Sequence, residues 1–129
     1  MTKSCSQVWI HVVWATKNRM PLIDSCFEVQ LYKFISNQFW KIGCVPKIVN
    51  GMPDHIHCLF LINKTKSIAD VIKQVKGSSS FFINQSSFIN DYFIWQRGYA
   101  AYAVSEKDLN KIYNYIKNQK EHHRLVNHK

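Results

Sequence analysis

Two histidines flank a single isoleucine at His55-Ile56-His57, at the start of the apolar run HIHCLFLI. The run reads as a buried strand. Side chains alternate between faces along a strand, so both imidazoles project from one side, two residues apart. Such a pair can hold a divalent metal, but two side chains rarely suffice and a third ligand has to come from elsewhere. The last amphipathic segment offers one. Tyr115 and Gln119 are four residues apart and stack on one stripe of a helix, with Asp108 and His122 on the same side. Gln119 carries a neutral oxygen suited to completing a His-His site. Tyr115 carries a phenol, a covalent nucleophile when activated. On helix geometry alone, a surface tyrosine is the simpler reading of Tyr115. His11 reads as a satisfied structural histidine rather than a fourth ligand. His122, His123 and His128 read as a solvated helix end rather than a metal-binding tail.

These groups need a scaffold. Residues 6–14 (SQVWIHVVW) are rich in β-branched and aromatic types and predict a first strand. Residues 16–21 (TKNRMP) form a basic turn. Asp24 is placed to cap a helix running to about Lys41, with Phe27, Leu31, Phe34, Ile35 and Phe39 near an i, i+3/i+4 stripe. Gly43 follows as a C-terminal stop. Residues 45–50 predict a short strand, 51–54 a turn, and 55–62 its hairpin partner. Ser67 with Asp70 resembles a capping box opening a second helix, whose apolar face is Ile68, Val71, Ile72 and Val75. Gly77 and the serines after it loosen its end, and residues 77–87 carry no firm assignment. Residues 95–104 predict a fourth strand. Ser105 is placed to cap a final helix to about His122, with Leu109, Ile112, Tyr113 and Ile116 as its apolar stripe. The order predicts an α+β, ferredoxin-like β-α-β-β-α-β antiparallel sheet with an additional C-terminal helix.

The chain has 129 residues, enough for one domain spanning 1–129 with a real core. Hydrophobic content of 47% argues against a disordered chain. No apolar run is long enough to cross a bilayer, and Gln7 and His11 interrupt any signal-peptide pattern. A cytoplasmic protein with no membrane partner is the expectation. Lys and Arg number 17 against 8 acids, a net charge of +9 at pH 7. That excess suits either solubility or a polyanionic partner. Cys5, Cys26, Cys44 and Cys58 contain no C-x-x-C pair, so they read as small buried or half-buried side chains, with neither a zinc knuckle nor disulfides expected.

Four segments together resemble the single-tyrosine HUH transposases of small insertion sequences, kin of the REP-associated tyrosine transposases. They are His11-Val12-Val13-Trp14-Ala15-Thr16-Lys17-Asn18-Arg19, then Pro53-Asp54-His55-Ile56-His57, then Trp95-Gln96-Arg97-Gly98-Tyr99 running into Val104-Ser105, and finally Tyr115-Ile116-Lys117-Asn118-Gln119 with His122-His123. A lone H-x-H is weak; four segments in order are specific. The resemblance implies that His55, His57 and Gln119 are metal ligands and Tyr115 the nucleophile. It implies metal-dependent cleavage and rejoining of single-stranded DNA at hairpin-bearing element ends through a 5′-phosphotyrosine link. The implied cofactor is Mg²⁺ or Mn²⁺, with no nucleotide cofactor. The implied assembly is a homodimer in which the tyrosine helix of one subunit completes the other's site.

Under that reading Lys17, Arg19, Lys76 and Arg97 are the expected phosphate contacts. Trp95 and Tyr99 bracket Arg97 and offer stacking surfaces, although each aromatic also reads as core. A phenol with a pKa near 10 needs help to ionise; Lys111, Lys117 and His122 are candidates, each equally a solvated surface group. Two rivals stand beside the transposase. One is a non-catalytic single-stranded nucleic-acid-binding module, with salt-sensitive binding that ignores chelators. The other is a different HUH nickase, a replication initiator or relaxase-like enzyme.

Overall fold

A computed structural model describes residues 7–121 of the chain. The strands are β1 (Trp9–Ala15), β2 (Val45–Met52), β3 (His55–Leu61) and β4 (Ala100–Val104), and the main helices are α1 (Glu28–Lys41), α2 (Ile68–Gln85) and α3 (Leu109–Lys117). The sheet order is β2-β3-β1-β4 with every pair antiparallel. This is the expected ferredoxin-like arrangement. No helix among the described residues is long and apolar enough to cross a membrane.

The alternation of β1 sorts the two sides of the sheet. Ile10, Val12 and Trp14 join Ile56, Cys58 and Phe60 in the main core, packed with Leu31, Ile35 and Phe39 of α1 and Val71, Ile72, Val75 and Ile83 of α2. His11, His55, His57 and Leu59 point to the opposite side, where α3 packs on β2 and β3. β3 is therefore central and covered on both faces. That explains why its sequence is an apolar run and not an alternating one, and why its first six residues are all buried.

Several local expectations shift. Asp24 does not cap α1; its carboxylate accepts from the Cys26 amide in a turn one step earlier, and α1 begins at Glu28. The hairpin loop is only Pro53-Asp54, because Gly51 and Met52 stay in register with Ile56 and His55. Ser67 caps α2 as expected, accepting from the Asp70 amide. α2 then runs through Gly77 and the serines to Gln85. Ser79 secures this stretch: it is fully buried, its hydroxyl donates to Val75 O at 2.7 Å, and it accepts from Trp95 Nε1 at 2.9 Å.

The predicted fourth strand is interrupted. Trp95 bridges Thr16 and Ala100 pairs with Val13, so β1 advances three residues while its partner advances five. The extra residues bulge out around Gly98, whose φ of 85° suits glycine. Ser105 hydrogen-bonds the Asp108 carboxylate rather than a backbone amide, and a short 3₁₀ turn (Glu106–Asp108) precedes α3. α3 ends at Lys117, Asn118 forms a turn, and helical geometry resumes over 119–121. His122 and the histidines beyond it lie outside the described residues, as does Cys5. Cys44 and Cys58 are buried free thiols; Cys26, expected to be at least half-buried, is exposed because it sits in the turn ahead of α1.

Candidate active site

The site is built on the α3 side of the sheet. His55 and His57 are buried to 7% and 6% exposure, with ring centroids 5.1 Å apart. Both are oriented from behind. His55 Nδ1 lies 2.8 Å from Asp54 Oδ1, so that nitrogen donates its proton to the carboxylate and Nε2 keeps the lone pair. Arg19 Nη2 stands 3.4 Å from the same Nδ1, but a guanidinium only donates. Its charge is instead matched by Asp54, with Nε to Oδ2 at 3.4 Å. Partial burial would raise the Asp54 carboxyl; the His55 hydrogen bond and the Arg19 charge outweigh it and hold the group below the ordinary carboxylate value.

His57 has a partner of another kind. Its Nδ1 lies 2.9 Å from His11 Nε2, and the two rings stack at 5.1 Å. For His57 to present its Nε2 lone pair, its Nδ1 donates and His11 accepts. That role needs a neutral His11, and burial pushes the His11 pKa below the ordinary histidine value. His11 is thus a satisfied histidine, and its satisfaction comes from a site residue.

α3 brings the remaining groups over β3. The Tyr115 ring stands edge-on to His57 at 5.7 Å and to His11 at 6.4 Å, and is 43% exposed. The phenol and the paired imidazoles thus meet within one chain. Gln119 is fully buried. Its Nε2 donates to Tyr115 O at 3.3 Å, while its Oε1 is buried with no hydrogen-bond partner among the described residues. A buried amide oxygen left unmatched is costly, and a cation is a natural partner for it. Among the described residues no three His, Cys, Asp or Glu side chains gather in metal-binding geometry. Gln119, with its unmatched amide oxygen, is the described residue of another type whose chemistry fits a third ligand beside His55 and His57.

The expected DNA contacts fall in different places. A cleft of about 260 Å³ opens beside His55, lined by Arg19, Pro21, Met52, Pro53 and Asp54. Lys17 and Arg97 share a second cleft of about 260 Å³ with Ile94, Trp95 and Gln96. Arg97 also meets Lys73, Lys76 and Tyr99 around a third, of about 280 Å³. Lys76 is engaged in structure: its Nζ donates to Gln96 O at 2.7 Å and Gly98 O at 2.9 Å, and burial lowers its pKa. Trp95 is core, packed edge-on against Trp14 and Phe93, whereas Tyr99 is 41% exposed. Lys111 and Lys117 are exposed on α3.

Sequence reasoning passed over Asp54 and Asn50. Asp54 reads as a turn residue, and only its place directly before His55 hints at more. Asn50 gives no signal until pairing sets it opposite His57.

The family described as Transposase IS200 like matches residues 4–119. The chain belongs to this family, and it is a transposase enzyme with the fold of that family. It is 25% identical over 118 residues to the ISDra2 transposase TnpA of Deinococcus radiodurans, covering 88% of this chain and 84% of that protein. A solved transposase structure from Deinococcus radiodurans superposes with a TM-score of 0.68 at 25% identity, covering 92% of this chain and 98% of the other. A REP-associated tyrosine transposase bound to a REP hairpin shares the fold, with a TM-score of 0.64 at 15% identity over 92% of this chain and 72% of its own.

Proposed function

We propose that this chain cuts and rejoins single-stranded DNA at hairpin-bearing element ends, with Tyr115 as nucleophile. One observation carries the reading: the Tyr115 ring lies 5.7 Å from that of His57, four residues before a buried Gln119 oxygen that has no hydrogen-bond partner among the described residues. His55, His57 and Gln119 would hold Mg²⁺ or Mn²⁺ with positions left open for water and phosphate oxygen; the two imidazoles suit Mn²⁺ better than the harder Mg²⁺. When bound, the cation supplies Lewis acidity toward a non-bridging phosphate oxygen.

The remaining steps belong to the chain. Asp54 and His11 fix the two imidazole tautomers. α3 holds the phenol on the exposed side of the His pair, where a DNA phosphate has access. Tyr115 Oη forms a bond to phosphorus as the bond to the 3′ oxygen breaks. The phenol gives its proton to water, and the departing 3′ oxygen takes one up. The 5′ phosphate remains on the tyrosine, and attack by a 3′-OH reverses the sequence. One phosphodiester replaces another, so rejoining needs no nucleotide cofactor. Arg19, beside His55, is placed to meet the phosphate, while Lys17 and Arg97 flank a cleft that suits the adjoining strand. Lys76 would act indirectly, by shaping the loop that carries Arg97.

A homodimer is part of the proposal. β4 lies at the edge of the sheet, carries no charge, and has Ala100, Ala101, Tyr102 and Ala103 exposed. An uncharged, uncovered edge strand invites pairing with another strand. The neighbour bound to a REP hairpin lends support to a folded DNA end as substrate.

The test is direct. With Mn²⁺ or Mg²⁺, a hairpin-bearing single strand should give a covalent protein–DNA adduct that Tyr115→Phe removes. Persistence of the adduct in the Phe variant sinks the assignment. Chelator-insensitive binding with no adduct from the wild type points to the binding-module alternative.

A further inference from the structure

The end of α3 is tied to its own sheet by a compact polar cluster. Asn50 on β2 pairs with His57 on β3, so the two share a rung of the ladder. Asn50 Nδ2 donates to Ile116 O at 2.9 Å and Lys117 O at 3.2 Å. Both carbonyls lie in the last turn of α3, where a helix end leaves acceptors under-used; the Asn118 amide also reaches Ile116 O. Asn50 Oδ1 in turn accepts from Lys120 Nζ at 3.2 Å. The same ammonium reaches Gly51 O at 2.9 Å and the Glu28 carboxylate at 3.3 Å, and sits 5.4 Å above the Tyr32 ring. Lys120 therefore joins the chain's tail, the last turn of β2 and the first turn of α1.

Gln119 lies directly between the residues this cluster holds. On one side Asn50 fixes the carbonyls of 116 and 117; on the other Lys120 is anchored at several points. Asn118 between them breaks the helix, so helical continuity alone does not set the direction of the Gln119 carboxamide.

We propose that Asn50 and Lys120 form a latch that positions the Gln119 oxygen over His55 and His57. Both are positioning residues; neither touches the reacting atoms. The inference rests on the metal-site reading above and adds what aims its third ligand. A lysine with only a solubility role would project into water. This one meets two backbone or amide oxygens, a carboxylate and an aromatic face.

The experiment uses the full chain and titrates Mn²⁺ by electron paramagnetic resonance, without DNA. Lys120→Met keeps the aliphatic stem and removes the charge. It should weaken Mn²⁺ binding about five- to tenfold, with faster amide exchange over 116–121. Lys120→Arg should restore most of the affinity. Ser67→Ala, which removes the α2 cap far from the site, serves as the control for general destabilisation and should leave Mn²⁺ affinity unchanged. Gln119→Ala tests the underlying reading. If Gln119→Ala weakens Mn²⁺ binding and Lys120→Met does not, the latch is wrong and the metal site stands. If Lys120→Met weakens it no more than Ser67→Ala does, the latch is equally wrong. If Gln119→Ala binds Mn²⁺ as the wild type does, the site and the latch's purpose fall together.

Discussion

His11 Nε2 and His57 Nδ1 stand 2.9 Å apart, diagonally across the central strands of the sheet. One histidine acts as the hydrogen-bond acceptor that sets the tautomer of another. Partners of this kind commonly change metal affinity 10- to 100-fold. His11→Phe is expected to weaken Mn²⁺ binding by about that factor with the sheet intact, as read by titration and circular dichroism. His11→Gln retains an acceptor and should keep most of the affinity.

Tyr115→Phe deletes one oxygen from a half-exposed ring and leaves its packing in place. Adduct formation should fall by about 10⁴-fold or more, the scale seen when a nucleophile is removed. Binding of hairpin DNA, measured by fluorescence anisotropy, should change less than about twofold.

Chelation should separate binding from chemistry. EDTA is expected to abolish cleavage and to leave DNA binding largely intact, with activity returning on added Mn²⁺. Because the cation would bind only the folded site, removing it should also lower the melting temperature. At metal 100 times its Kd, linkage contributes about 2.7 kcal/mol. A melting curve indifferent to Mn²⁺ would sink the ligand assignment.

Gly51→Ala should damage the fold at its most sensitive joint. An added Cβ would stand 2.2 Å from the His55 carbonyl oxygen and 2.9 Å from Ile56 Cα. Both are backbone atoms of the strand carrying the histidines, so neither can swing aside. A loss of about 3 kcal/mol or more is expected by urea unfolding, the range of severe steric insults.

The exposed edge of β4 gives an assembly test. Lysines at Ala101 and Ala103 place charge on a strand that has none. Light scattering should report a monomer for Ala101→Lys/Ala103→Lys and a dimer for the wild type. A dimer that survives both lysines would place the interface elsewhere.

Local patterns carried much of this structure. The H-x-H spacing put both imidazoles on one face because strand periodicity is rigid, whereas the i, i+4 stripe expected for Tyr115 and Gln119 is interrupted at Asn118, with Tyr115 half-exposed and Gln119 buried. What local patterns missed was decided by distant partners. Gly77 and the serines that follow have poor helix propensity, yet α2 continues because Ser79 bonds Trp95 and Ile83 reaches the core. The bulge at Gly98 follows from where Trp95 and Ala100 find partners on β1, which no window of residues reveals. Asn50 and Lys120 gave no signal of their own, since their roles exist only once β2, β3 and the segment after α3 are side by side; Asp54 gave only its place before His55.

β3 has neighbouring strands on both flanks and helices above and below. A strand walled in on every side has no direction in which to yield. Its imidazoles therefore serve as a fixed anvil, to which a bound strand would have to conform.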